Sequence, residues 1–457
     1  MKVVNYQRLG IGTVGYHEEP PWIILALLAA LRNENIHVQI FVGRGAYPRY
    51  AVARGVCGRC LRYLDSWLMT PEQCREFFAL GMKTADIGIV EGVYTAEEGT
   101  ESLGGLNLLA RWLRLPRLVI VDASRYDRCQ DLPLPEGAAG LFLDRVHDEK
   151  HYWTLRTDLE LLYGIPVLGG LPELPQLRAQ FFHFLPSGCL PRSWWANLGQ
   201  QFARLWSKEE ILRLARREPW HFSPPPADLT CTRRESQSTV RRIALAYDKA
   251  FNRYFCETLD ALDKEGAKLV DFSPLHDECL PENTDIVYIG CGDVGSHLAQ
   301  LANNHCMKAA LRGHLAARRA IYAEGAGAAY LCQTIRTPCG TSYPMVGLLP
   351  ATAVWNPEAP EPVPMECITS QESWLFPAGF RLRGYRTREW ELTPLRPETN
   401  LATGASGGSS IVGCFHAVGS LIHINFAWQP VLLERFFSPS PPPKLNFDPW
   451  QTPAQNP

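Results

Sequence analysis

No apolar run in this sequence reaches the roughly 18–20 residues that a transmembrane helix needs; the longest, Trp22–Leu31, has about ten. The N-terminal stretch MKVVNYQRLGIG lacks the long apolar core of a signal peptide, so a cytoplasmic protein without membrane contact is expected. An excess of one charge is missing as well. Forty-five Lys and Arg face 47 Asp and Glu, a net charge of −2, which offers no electrostatic reason for a nucleic-acid partner or an anionic membrane. The 14 Cys show no disulfide framework and read as reduced cytosolic thiols. No internal repeat is present.

What is present is a globular composition, 46% hydrophobic and 20% charged, over a length of 457 residues that favours two domains. The first half alternates apolar strands with helices. RLGIGTV, IHVQIFVG, ADIGIVEGV, RLVIVDAS, AAGLFLDRV and IPVLGGLPE read as strands. WIILALLAALRNEN and TPEQCREFFALGMK read as helices, the second with Thr70 as its N-cap. Composition breaks at Glu218–Arg242, where Pro, Ser, Thr and Arg dominate and the periodicity stops. A second series follows: RIALAYD, NRYFCETLDALDKEG with a stop at Gly266, KLVDFSP, DIVYIGCGD and IYAEGAGAAYL. The expected organisation is 1–217, a linker at 218–242, a second domain at 243–436 and a Pro-rich tail at 437–457. The expected fold class is α/β, two doubly wound parallel-sheet domains.

Several matches point one way. YLDSWLM (Tyr63–Met69), ADIGIVEGV (Ala85–Val93), IPVLGGLPE (Ile165–Glu173), FSPLHDECLPE (Phe272–Glu282) and IYAEGAG (Ile321–Gly327) appear in order. In this order the chain, from Arg8 to about Trp428, resembles the cobyrinic acid a,c-diamide synthases. That resemblance implies an N-terminal P-loop domain like dethiobiotin synthetase and a C-terminal, flavodoxin-like class I glutamine amidotransferase domain. It also implies ATP and Mg²⁺ as cofactors, and amidation of corrin carboxylates with ammonia from glutamine.

Both catalytic elements of that family are altered here. The family P-loop, GT-x-S-G-x-G-K-T-T, cradles phosphate with its amides, neutralises it with Lys and ligates Mg²⁺ through a hydroxyl. This chain reads GTVGYHEEPPW, keeping Gly12, Thr13 and Gly15 but placing Glu18 and Glu19 where the Lys and last Gly would fall. There is no Lys or Arg between Gly10 and Leu31. Prolines remove amide donors. Each carboxylate would repel a triphosphate by about 1–4 kcal/mol per close pair. ATP binding in the family manner is therefore not expected, and Glu-Glu-Pro-Pro reads as a helix start. Glu91 matches the family's acidic residue after the strand, a partner for Mg²⁺.

The amidotransferase elbow, A-E-C-G-G in the family, is Ala323-Glu324-Gly325-Ala326-Gly327 here. A glutamyl thioester needs a thiolate, and Gly325 has none. Cys332 lies seven residues on, roughly 10 Å down the helix. Cys291, in GCGDVG, falls on the loop resembling the family's oxyanion turn and is the one relocated thiol that this alignment brings near the elbow. His423, in LIHINFAW, matches the family's general base. Catalytic remnants are thus His423, Glu91 and Cys291.

Three other motifs have residue types that metal or anion sites use. CGRC (Cys57–Cys60) has only Cys74 nearby, HDEKH (His147–His151) lacks the Glu of H-E-x-x-H, and TGASGGSSIVG (Thr403–Gly413) reads as a flexible loop. No metal site is expected. The resemblance implies a tetrapyrrole bound where its acetates reach the P-loop, with Tyr47, Leu64, Asp65 and Ser66 on the substrate-facing loops. Arg44, Arg49, Arg54 and Arg59 cluster there, and Arg pairs bidentately with carboxylates. Arg44, Tyr47, Asp65 and Ser66 are the expected ligand contacts. Three functions remain open: a catalytically inactive relative binding a tetrapyrrole, an amidoligase acting through a rebuilt site, or an interaction subunit or homodimer partner of an intact member.

Overall fold

The computed structural model describes residues 4–15, 21–47, 56, 58–95, 104–126, 132–184, 189–217, 221–222, 240–359, 361–403 and 409–437. The chain divides into two compact units, Met1–Thr232 and Arg233–Pro457. Most of the segment 218–242, nearly all of the tail 437–457, and Glu18, Glu19, Pro20, Arg49, Arg54 and Cys57 lie outside the described residues.

The first unit is built on a seven-stranded sheet in the order Arg62–Tyr63, Val38–Val42, Ile87–Tyr94, Gln7–Val14, Arg117–Asp122, Ala138–Val146, Val167–Pro172. All its pairings are parallel. The helix Trp22–Asn33 buries every residue from Trp22 to Leu31. A helix apolar all round belongs in an interior. Gly199, on the helix Arg192–Ala203, lets that helix press against it: a β-carbon there would lie 2.7 Å from the Ala29 backbone. The helix Pro71–Gly81 starts as its sequence indicates. The Thr70 hydroxyl accepts from the Gln73 amide and the Gln73 side chain accepts from Thr70, a complete capping box.

The second unit centres on the strands Lys268–Phe272, Arg242–Ala246, Ile286–Ile289, Ala320–Glu324 and Ala417–Ser420, neighbours in that order and all parallel. Two further strands, Ser409–Gly413 and Asn400–Thr403, extend the edge antiparallel. Here the fold departs from a purely parallel sheet. Only Cys414–His416 separate Ser409–Gly413 from Ala417–Ser420, and so short a connection permits only antiparallel pairing. A four-stranded and a three-stranded sheet, drawn from 334–394 and 363–423, complete the unit. Within this chain the parallel core matters most, because the C-terminal ends of adjacent parallel strands gather loops from distant parts of the sequence at one edge.

Candidate functional site

That edge in the second unit is where the elbow lies. The strand Ala320–Glu324 turns at Gly325 into the short helix Ala326–Leu331. Gly325 has φ 54° and ψ −114°, a left-handed conformation that strains any residue with a β-carbon. The turn is pinned by the Gly325 amide, which donates to the Ser420 carbonyl at 2.7 Å. The backbone of a nucleophile elbow is thus complete, and the side chain is absent.

The space is filled from a neighbouring strand. Cys291 follows the strand Ile286–Ile289, which pairs with Ala320–Glu324. A β-carbon built on Gly325 would lie 2.5 Å from Cys291 Sγ and 4.0 Å from His423 Nε2. The Cys291 loop is rigidly held. A β-carbon on Gly290 would meet the Tyr254 ring at 2.5 Å, and one on Gly292 would lie 1.9 Å from the Ala250 carbonyl oxygen. Tyr254 receives the Gly290 amide at 2.9 Å and donates to Ala246. Backbone bonds between Arg253 and Cys291 close the loop from the other side.

His423 ends the pair Ile422–His423, set against Tyr385 and turned off Ser420, whose hydroxyl both donates to the Ile422 carbonyl and accepts from its amide. Glu324, fully buried, accepts from the Tyr322 phenol at 3.0 Å. Cys291 Sγ, a Glu324 carboxylate oxygen and a His423 ring nitrogen lie within 4.8 Å of one another, and all three residues are buried. The three segments meet because their parent strands are adjacent in the parallel core.

Electrostatics sets what the thiol does. Burial pushes Cys291 well above the ordinary thiol range, and the Glu324 carboxylate pushes it further, against weaker opposing pulls from Arg253 and the Ala326 amide. Its Sγ donates to the Glu324 carbonyl at 3.4 Å. A nucleophile works as thiolate; this sulfur is held as a neutral thiol. Burial, then the same carboxylate, raises Tyr322 and Tyr288, so both remain neutral phenols. Cys332, just past the helix, is buried in the core and donates to the Ala328 carbonyl.

In the first unit, Gly12, Thr13 and Val14 are in sheet register with Gly92, Val93 and Tyr94. This stretch is extended, and the motif residues 16–20 that follow it lie outside the described residues. Gly15 turns with φ 79°, its amide donating to the Tyr94 carbonyl at 3.0 Å. Glu91 is buried in the adjoining strand, and its carbonyl receives the Gly43 amide at 2.7 Å. Asp65 is fully buried. Its carboxylate accepts from the amides of Gly45 at 2.7 Å, Trp67 at 2.7 Å and Leu68 at 3.0 Å, so it ties the Arg44–Tyr47 loop to its own turn. Ser66 donates to Gly105 at 3.3 Å, Tyr47 is buried, and Arg44 is half-buried. Arg59 is bonded to the Thr84 hydroxyl and carbonyl.

HDEKH does not form a helical pair. His147 precedes the helix Glu149–Tyr163, Asp148 caps it, and His151 Nδ1 accepts from the His147 amide. Of the three donors that converge at the elbow, Glu324 is the one to which the sequence alone assigns no role. The available signal was its two-residue spacing from Tyr322, which puts both on one face of the strand.

Residues 242–426 match the CobB/CobQ-like glutamine amidotransferase domain. A cobyrinate a,c-diamide synthase of Dehalococcoides mccartyi is 30% identical over 95% of this chain and 98% of its own. The chain belongs to the cobyrinate a,c-diamide synthase family. Another such synthase, from Syntrophotalea carbinolica, is 32% identical over 72% of this chain and 74% of its own. That of Salmonella typhimurium is 25% identical over 91% and 94%. Within this family, the chain carries Gly at the elbow apex and a Cys whose sulfur lies 2.5 Å from where that residue's β-carbon would be. Among the described residues no helix is long and apolar enough to cross a membrane.

Proposed function

We propose that this family member binds a corrinoid or related tetrapyrrole polycarboxylate and does not amidate it with ammonia drawn from glutamine. One observation carries the reading: the elbow at Gly325 keeps its strained backbone while the sulfur beside it is buried, bonded to the Glu324 carbonyl and held protonated. The acyl-thioester step has no thiolate to begin it. The absence of any Lys or Arg between Gly10 and Leu31, with Glu18 and Glu19 in the motif, supports the parallel conclusion for nucleotide. The ligand class follows from the relatives, whose names give cobyrinate as their substrate. In the first unit, Arg44 beside the Asp65-clamped turn offers a guanidinium suited to ring carboxylates.

A second reading has its own support. The sulfur of Cys291 lies almost where a side chain on residue 325 would begin, with His423 Nε2 close by, as a transposed dyad requires. An amidoligase rebuilt on that dyad would regain activity once the thiol ionised.

Titration of the protein with cobyrinate and related tetrapyrroles, followed by visible absorption, tests the first reading, with amide formation assayed alongside in ATP, Mg²⁺ and glutamine or ammonia. A shifted ring spectrum without amide formation is expected. Amide formation would establish the second reading. An unchanged spectrum across the panel would overturn ligand binding and leave a protein-interaction role, which co-purification would identify.

A further inference from the structure

Cys291 has two further donor side chains within reach. Among the described residues, Cys291, Glu324 and His423 form the one group of three or more His, Cys, Asp or Glu donors close enough to share an ion. They come from three segments at the ends of adjacent parallel strands, and each is locked from behind. Cys291 is held by its flanking glycines, Glu324 by Tyr322, and His423 by the Ser420 turn. The β-carbon missing at Gly325 would have lain 2.5 Å from Cys291 Sγ and 4.0 Å from His423 Nε2, so the glycine is what lets these donors approach one another.

From this geometry we propose that the vacated elbow is a binding site for one divalent transition-metal ion of the zinc or cobalt class, held by Cys291 Sγ, a Glu324 carboxylate oxygen and a His423 ring nitrogen. The proposal is independent of whether the chain binds a tetrapyrrole. A sulfur, nitrogen and oxygen donor set suits borderline ions and not Mg²⁺ or Ca²⁺, which take oxygen. Bond lengths of about 2.3 Å to sulfur and about 2.0–2.2 Å to nitrogen and oxygen put neighbouring donors of a tetrahedral ion roughly 3.3–3.8 Å apart. The 4.8 Å spread therefore needs a contraction of at most about 1.5 Å, within reach of side-chain rotation. The fourth position falls to water or an outside donor, as in open zinc sites.

Charge gives the reason for an ion. Burying a carboxylate is costly unless its charge is compensated, and Glu324 is fully buried beside Cys291. A dication removes that cost: with thiolate, carboxylate and neutral imidazole the site is electroneutral, the condition under which buried charge is tolerated. The binding step is Cys–SH plus M²⁺ giving a Cys–S⁻–M²⁺ bond, with one proton released to solvent. The Tyr322 phenol, already donating to Glu324, orients the carboxylate in the manner of outer-shell partners.

The test is titration of the reduced, chelator-treated full-length protein with Co²⁺ alone. One equivalent is expected to give a thiolate-to-cobalt charge-transfer band together with the intense visible bands of four-coordinate cobalt, both displaced by Zn²⁺. Cys291→Ser should abolish the charge-transfer band, His423→Ala should weaken affinity at least tenfold, and Cys339→Ser, at an exposed thiol, should change neither. Persistence of the band in Cys291→Ser, or its absence from the parent protein, would overturn the assignment. Should the variants fail to fold, X-ray absorption of the Zn²⁺-loaded parent decides: one sulfur with nitrogen and oxygen neighbours supports the site, and a shell with no sulfur or with several contradicts it.

Discussion

Cys291 and Gly325 share one volume: the sulfur of the first lies 2.5 Å from the point where a β-carbon on the second would sit. Two side chains cannot both occupy that space. Restoring the family's residue by Gly325→Cys alone should therefore destabilise the protein, by about 1–3 kcal/mol from overpacking, with the strain of φ 54° added. Adding Cys291→Gly should recover part of that loss. Urea unfolding of the two single variants and the double gives the coupling; a favourable interaction of at least about 1 kcal/mol is expected, and simple additivity would contradict a shared volume.

Thiol reactivity should separate Cys291 from Cys339. Cys339 is exposed, and hydrogen bonds from Thr337 and Thr341 bring its thiol down to about 7. Cys291 is buried and pushed upward. Brief alkylation with iodoacetamide near pH 7.5, mapped by mass spectrometry, should label Cys339 first and leave Cys291 unmodified until the protein unfolds. Comparable rates at the two positions would remove the argument that Cys291 is a neutral thiol.

Asp65 holds a loop, and its removal should show that. Asp65→Ala leaves the amides of Gly45, Trp67 and Leu68 without their acceptor in a buried place. The expected loss is about 2–4 kcal/mol in the first unit's unfolding transition. Asp65→Asn, which keeps an acceptor oxygen, should lose less. Equal effects of the two variants would argue that the amides find other partners.

How far the sequence reaches depends on whether a feature is local. The capping box at Thr70 and Gln73 and the turn at Gly325 are written in a few adjacent residues and could be read directly. The meeting of Cys291, Glu324 and His423 depends on which strands are neighbours in the sheet. Family resemblance brought Cys291 near the elbow, but neither its sulfur's placement nor the carboxylate beside it follows from spacing. Asp65 shows a different limit. An Asp followed by Ser-Trp-Leu is a good turn former, accepting from amides two and three residues on. Resemblance to a substrate loop drew attention to its charge instead. The antiparallel edge strands are not legible in the sequence, because Asn400–Thr403 and Ser409–Gly413 are short and flank a Gly/Ser-rich segment.

His314 supplies a pH dependence away from the elbow. Burial brings its imidazole down to about 4, opposed by the Ala320 carbonyl 3.2 Å from Nε2. The unfolded chain protonates near 6.5. Between these values the unfolded state binds the extra proton, so stability is full above about pH 6.5 and falls as pH drops toward about 4, by at most about 3 kcal/mol from this group. Urea midpoints from pH 7 to pH 4 should fall less steeply for His314→Gln than for the parent. Parallel curves would assign the acid sensitivity elsewhere.

Glutamine itself poses the most direct question. The protein is incubated with glutamine, or with the alkylating analogue 6-diazo-5-oxo-norleucine, at neutral pH, and every cysteine is then inspected by mass spectrometry for a glutamyl thioester or its stable analogue adduct. With no thiolate at the elbow, all cysteines should remain free of both while the protein stays folded. A glutamyl group on Cys291 would contradict the reading and make this chain a working amidotransferase with its nucleophile transposed.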